Sequence, residues 1–131
     1  MAALSVTAAD VSVMPQTIVR TFNAGGAVSL GDSVYVVSDD DVEKSNGGAA
    51  GTATGRGVVV AIENGKTVAV ANDAVTVALY GPVAGFDSLT PGAPGYVSDT
   101  AGEIDTGVGT VTWVMGWALT ARMFFVNPQV V

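Results

Sequence analysis

Val, Ile, Thr and aromatic residues fall in short runs along this chain, broken by Gly, Asn and Asp, and helical spacing of apolar residues is hard to find. That pattern predicts an all-β protein, with strands near 16–22 (QTIVRTF), 33–38 (SVYVVS), 57–63 (GVVVAIE), 67–71 (TVAVA), 75–80 (VTVALY), 94–98 (PGYVS), 111–119 (VTWVMGWAL) and 122–127 (RMFFVN). Asn64-Gly65 predicts a tight hairpin between the third and fourth of these, because Asn-Gly tolerates the positive φ values of a type I′ turn. Ala121-Arg122 predicts a second reversal with less turn chemistry behind it.

Alternation within the runs predicts which faces are covered. In VTVALY, Val75, Val77 and Leu79 share one side and Thr76, Ala78 and Tyr80 the other. In TWVMGWAL, strict alternation puts Trp113, Met115, Trp117 and Leu119 in one bulky row, opposite the small apolar row Val114, Gly116 and Ala118. Neither face carries charge, as expected of a strand covered on both sides by a second sheet or by a neighbouring subunit. The expected fold is a small β-barrel or β-sandwich of short antiparallel strands over residues 16–131, preceded by an extended N-terminal arm at 1–15. The apolar residues of that arm, Leu4, Val6, Val11, Val13 and Met14, suit either an unpacked tail or a segment laid across another subunit. Residues 39–56, DDDVEKSNGGAAGTATGR, are too poor in apolar bulk to pack and are expected as an exposed, mobile loop.

The chain also echoes itself. AVSLGDSVYVVSDDD (27–41) and SLTPGAPGYVSDTAGEIDTG (88–107) share a Ser-Leu, a Gly-containing turn, a short aromatic-apolar strand ending near Ser-Asp, and a further turn. GRGVVVAIENGKTVAVAN (55–72) and VMGWALTARMFFVN (114–127) then share a glycine, a strand, a reversal and a second strand ending at Asn. Internal duplication and common hairpin grammar both account for this.

Composition narrows the function. A chain of 131 residues suits one domain, burying roughly two-thirds of its unfolded surface without a metal or disulfide. Histidine and cysteine are absent, which excludes Ser-His-Asp and Cys-His catalysis, the usual zinc sites and disulfides. Twelve acidic against five basic residues give a net charge of −7, and Arg20, Lys44, Arg56, Lys66 and Arg122 are scattered, so nucleic acid is not an expected partner. Only 13% of residues are charged and 49% are hydrophobic, with a mean hydropathy of +0.48. No apolar run reaches the ~18–20 residues of a spanning helix, and MAALSVTAADVSV lacks the basic start of a signal peptide, so no membrane association is expected. A chain so poor in charge is expected to bury surface in an assembly.

Candidate chemistry is thin. Asp39, Asp40, Asp41 and Glu43 lack the alternate spacing and closing acid of a calcium loop, and read as a solvated turn. GGAAGTATGRG runs into a strand rather than the helix that a phosphate-binding loop requires. Glu63 and Glu103 are candidate paired carboxylates that no spacing brings together. No cofactor, metal or catalytic set is expected. Trp113 and Trp117 suit core packing or a subunit contact, and alternatively a sugar-stacking platform.

The order GGAVSLGDSVYVV, GRGVVVAI, ENGKTVAVA, SLTPGAPGYVSDTAGEIDT and VMGWALTARMFFV, covering about residues 17–127, resembles the capsid decoration (cement) proteins of tailed bacteriophages. The LTPGAPGYVSDTAGEI piece also resembles a β-module of phage head and tail fibre proteins. The resemblance implies a structural, non-enzymatic virion protein on the outer capsid surface. Its implied partners are the major capsid protein and further copies of itself, often as a trimer. Leu4, Val6, Val11, Val13, Met14, Trp113 and Trp117 are then the candidate contact residues. The alternative is a fibre or adhesin-like module binding host surface glycan. A small carboxylate hydrolase is the weakest of the readings.

Overall fold

The computed structural model describes residues 3–130, and the side chains of residues 3–128. The chain is all-β. Its strands are β1 (Ser5–Val6), β2 (Ser12–Val13), β3 (Ile18–Ala24), β4 (Val28–Ser29), β5 (Ser33–Ser38), β6 (Asp41–Lys44), β7 (Gly57–Ile62), β8 (Val68–Ala69), β9 (Ala74–Ala84), β10 (Phe86–Asp87), β11 (Pro94–Val97), β12 (Ile104–Asp105), β13 (Trp113–Ala118) and β14 (Met123–Val130). Two single 3₁₀ turns, Ala8–Asp10 and Glu63–Gly65, interrupt them. Among the described residues no helix is long and apolar enough to cross a membrane.

Hydrogen-bond pairing closes two rings that share one strand. In the first, β9 pairs with β3, β3 with β6, β6 with β5, β5 with β7, and β7 returns to β9. Every pair is antiparallel except β3–β6. In the second, β12, β11, β13 and β14 follow one another and β14 pairs with the later half of β9 at residues 81–84. Gly85, at a φ of 105°, then bends the chain into β10, and β1 pairs with β10. Ala3 bridges to Asp105, and the Leu4 N–H donates to the Ile104 carbonyl at 2.8 Å, closing the second ring at β12. A side chain at residue 85 would collide with the Val11 backbone, so this bend belongs to glycine.

Only part of the echo in the sequence corresponds to a repeated strand order: β5 and β7 match β11 and β13, but the strand matching β14 is β9, whereas the echoed stretch 67–72 forms β8 outside the unit. β6-β5-β7-β9 and β12-β11-β13-β14 are four-strand units with the same connections and all-antiparallel pairing. Each ring has its own core. Phe22, Val28, Val34, Val42, Val59, Ile62, Val75 and Val77 fill the first, and Phe86, Val97, Ile104, Trp113, Met115, Phe124 and Val126 the second. β-Branched valines suit strand backbones and pack densely between facing strands. β7 serves both cores, with Val58 and Val60 turned to the second and Val59 to the first. Its unbroken GVVVAI run follows from burial on both faces.

Three expectations need correction. Residues 39–56 are not an exposed loop throughout. Residues 41–44 form β6, Val42 is buried, and Ser45, Gly47, Ala53 and Gly55 are buried as well. The small side chains that seemed unable to pack let the backbone approach closely instead: the Gly47 N–H donates to the Ser98 carbonyl at 2.7 Å and its carbonyl accepts from Val111 at 2.7 Å. Only the turn at 38–40 and residues 48–51 and 56 stay exposed. Asn64 and Gly65 do take positive φ values of 60° and 68°, but the strands flanking them do not pair with each other. β8 pairs with β4, and the antiparallel partners of β7 are β5 and β9.

The third correction concerns the tryptophans. Between Val114 and Gly116 the register slips against both β11 and β14, so Met115 and Gly116 are both buried. That bulge reverses the alternation. Trp113 points into the second core, its indole N–H donating to the Gly55 carbonyl at 2.9 Å, while Trp117 points outward. Gly116 has a φ of 150°, and a Cβ there would overlap the Phe125 carbonyl oxygen. Gly116→Ala is therefore expected to cost about 3 kcal/mol or more. Gly26→Ala, which meets nothing, should stay within about 1 kcal/mol. Urea denaturation of both variants checks this.

Candidate functional site

The bulge at Met115–Gly116 creates an outward-facing aromatic row. Trp117 pairs with Phe125 across β13–β14, and the two rings stack with centroids 5.2 Å apart and planes at 23°. Phe125 meets Tyr80 of β9 edge-on at 5.1 Å and 83°. Tyr80 pairs in turn with Ile18 of β3, and Trp117 with Pro94 of β11. The row thus crosses five adjacent strands. Ile18 is 57% exposed, Tyr80 47% and Trp117 39%, with Leu119 exposed beside them.

Four of the five strands in this face are also free of charge, and β3 brings only Arg20, which pairs with Asp40. β11, β13, β14 and β9 are consecutive in the sheet, and none of them contains Asp, Glu, Lys or Arg. All seventeen charged residues of the chain lie elsewhere. An exposed aromatic patch so poor in charge is unusual on a monomer and has the composition of an interface centre, where charge is depleted and Trp, Tyr and Phe are enriched. Such a surface gives up water at small cost, because few ions have to be desolvated.

The residues expected to make contacts separate into two groups. Leu4 and Val6 are half-buried against the second core, Val11 is buried, and Met14 is half-buried. The N-terminal segment therefore lies along the edges of its own rings through β1, β2 and β3. Trp113, 6% exposed, offers no surface to a partner. Trp117 and Val13 are exposed, and only Trp117 belongs to the aromatic row. Sequence reasoning did not pick out Ile18, Tyr80 and Phe125. The signal for Phe125 was present, because a reversal centred on Ala121 sets residue 117 opposite residue 125.

The acidic residues form no second centre. Asp40 bonds Arg20 at 2.5 Å on the exposed turn between β5 and β6. Glu63 accepts the Ala74 N–H at 2.6 Å, whereas Glu103 lines a different cleft. Among the described residues no cluster of three or more acids is arranged to hold a metal ion. The cleft beside Glu103, about 180 Å³, also contains Asp32, Leu4, Val6 and Gly102. Burial pushes the Asp32 carboxyl up to about 6, opposed by the Ser29 N–H bond at 2.7 Å and by Lys44, and assisted by the nearby Glu103.

No family model matches the chain, nor does any curated protein or solved structure.

Asp32 gives a pH signature. Its folded-state pKa lies above the unfolded value of 3.8, so the native state holds this proton more tightly. The resulting stabilisation is fully present below about pH 4 and is lost as pH rises through about 6. Asp32→Asn keeps an acceptor for the Ser29 N–H and removes the charge. It is expected to raise the melting temperature by several degrees at pH 7 and to leave it unchanged at pH 4, read by calorimetry at both values.

Proposed function

We propose that this protein is a structural component of a phage virion, a capsid decoration protein that sits on the outer surface of the head and stabilises the shell. The observation that carries the reading is the charge-poor sheet face with its row Ile18, Tyr80, Phe125 and Trp117. Such a face suits contact with the major capsid protein or with further copies in a trimer. Copies with a net charge of −7 repel one another over most of their surfaces, and a face poor in ions is where they approach at least cost. The same face, repeated over a lattice, makes individually modest contacts add into tight decoration. The order of sequence motifs that resembles decoration proteins supports the same reading. The closed, densely packed rings suit a part that resists deformation.

Binding of purified protein to expanded capsids tests this. Saturable binding is expected, and a Trp117→Ser, Phe125→Ser double variant should lose at least about tenfold in affinity. Its folding should be preserved, since both side chains lie on the outer face. Because the contact is poor in ions, affinity is expected to change little between 50 and 500 mM NaCl, roughly the range over which charged interfaces weaken. A monomer that ignores expanded shells would refute the reading.

A second reading follows from the position of Trp117. A half-exposed indole backed by Phe125 can stack on the apolar face of a sugar, as in a glycan-binding fibre module. Trp113 is sealed in the core, so any ligand-dependent change in tryptophan emission reports Trp117. A glycan panel that shifts the emission, with the shift lost in Trp117→Phe, would favour this module over a decoration protein.

A further inference from the structure

A second cavity lies beside β11 and the end of β13 and touches the aromatic row only at Pro94, the cross-strand partner of Trp117. Its volume is about 220 Å³, and Leu4, Leu89, Ala118 and Phe124 form apolar walls. Ser88, Thr90 and Thr106, each with a hydroxyl, also line it. No lining residue is charged, in contrast to the Asp32–Glu103 cleft on the other side of Leu4.

We infer that this cavity is a binding site for a small neutral molecule with one aromatic ring and one hydroxyl. Size and lining support the ring: an apolar cavity of about 150 Å³ is large enough to take up benzene. The Ser88 and Thr90 hydroxyls supply partners for one polar group, and the missing cation together with the net charge of −7 disfavours an anion. The frame keeps the space open. Ala118 and Ala93 are small where a larger side chain would fill it, and the Gly92 N–H is tied to the Ala118 carbonyl at 2.7 Å. Ser88 is held at a φ of 55°, and the Leu89 N–H donates to the Ala121 carbonyl at 3.0 Å, so the segment bearing Ser88 and Thr90 is fixed to the turn between β13 and β14. This site goes beyond the assembly role and shares no wall with Tyr80, Phe125 or Trp117.

Titration of the full chain with phenol, followed by NMR, tests the inference. Saturable binding is expected, with intermolecular NOEs from the ring protons to the Leu4 and Leu89 methyl groups. Benzoate, the anionic analogue, should bind at least about tenfold more weakly. Ala118→Leu fills the cavity and should weaken phenol at least about tenfold, with Ala93→Leu as the second filling variant should the first fail to fold. Trp117→Ala should leave phenol affinity unchanged. The inference is overturned by absence of saturable binding to the unsubstituted protein. It is equally overturned by unchanged affinity in a folded filling variant, or by loss of binding in Trp117→Ala, which would move the ligand to the outer face.

Discussion

The pairing of β9 on both of its edges is the constraint on which the rest of the structure depends. Residues 74–80 bond β3 on one side and β7 on the other, and residues 81–84 bond β14 and β2. A strand committed in this way has no free edge to fray or to template aggregation. It also fixes where the second ring stands relative to the first, because one continuous backbone passes through both. Val75 and Val77 point into one core while Ala78 and Val83 line the other, so the two interiors are welded by neighbouring side chains of a single strand. The outer aromatic row inherits its geometry from that arrangement: Tyr80 and Phe125 meet because β14 is held at a set register on β9.

Much of this was legible from residue order. β5 spans the predicted 33–38, and β7, β11 and β13 differ from expectation by a residue or two at their ends, because Val, Ile and aromatic runs bounded by Gly and Asp carry a local signal. What escaped was non-local. Whether Val42 is enough to make DVEK a strand depends on β3 and β5 lying on either side of it. Where β8 pairs depends on β4, some forty residues earlier. The parity of Trp113 and Trp117 turned on a single slipped residue, and a bulge has no reliable mark in one sequence beyond a glycine such as Gly116. The candidate face was half visible for the same reason. Absence of charge in VTWVMGWAL and RMFFV could be read directly, but not which of those apolar residues would look outward.

The burial pattern also explains how a chain with 49% hydrophobic residues distributes them. Two interiors need more apolar lining than one, and β7 and β9 serve both with short side chains. Charge falls on turns and on strands other than β9, β11, β13 and β14, and Lys66 with Asp73, Arg20 with Asp40, and Arg122 with Asp87 form pairs. Those exposed pairs contribute little to stability. Their effect is on where the molecule accepts neighbours, because they leave one flank unguarded by ions.

The way residues 3–24 seam both rings has a kinetic consequence. Ala3 meets Asp105, and β3, although it bonds β6 at its end, pairs along most of its length with β9, so both seams close over long stretches of chain. Ring closure over such spans carries a large entropic barrier, which places folding in the slow, millisecond-to-second regime of non-local β topologies. Once both seams have closed, the same barrier works in reverse. Release of either seam must disrupt a ring before any unit can leave, which favours long residence in the folded state over rapid exchange.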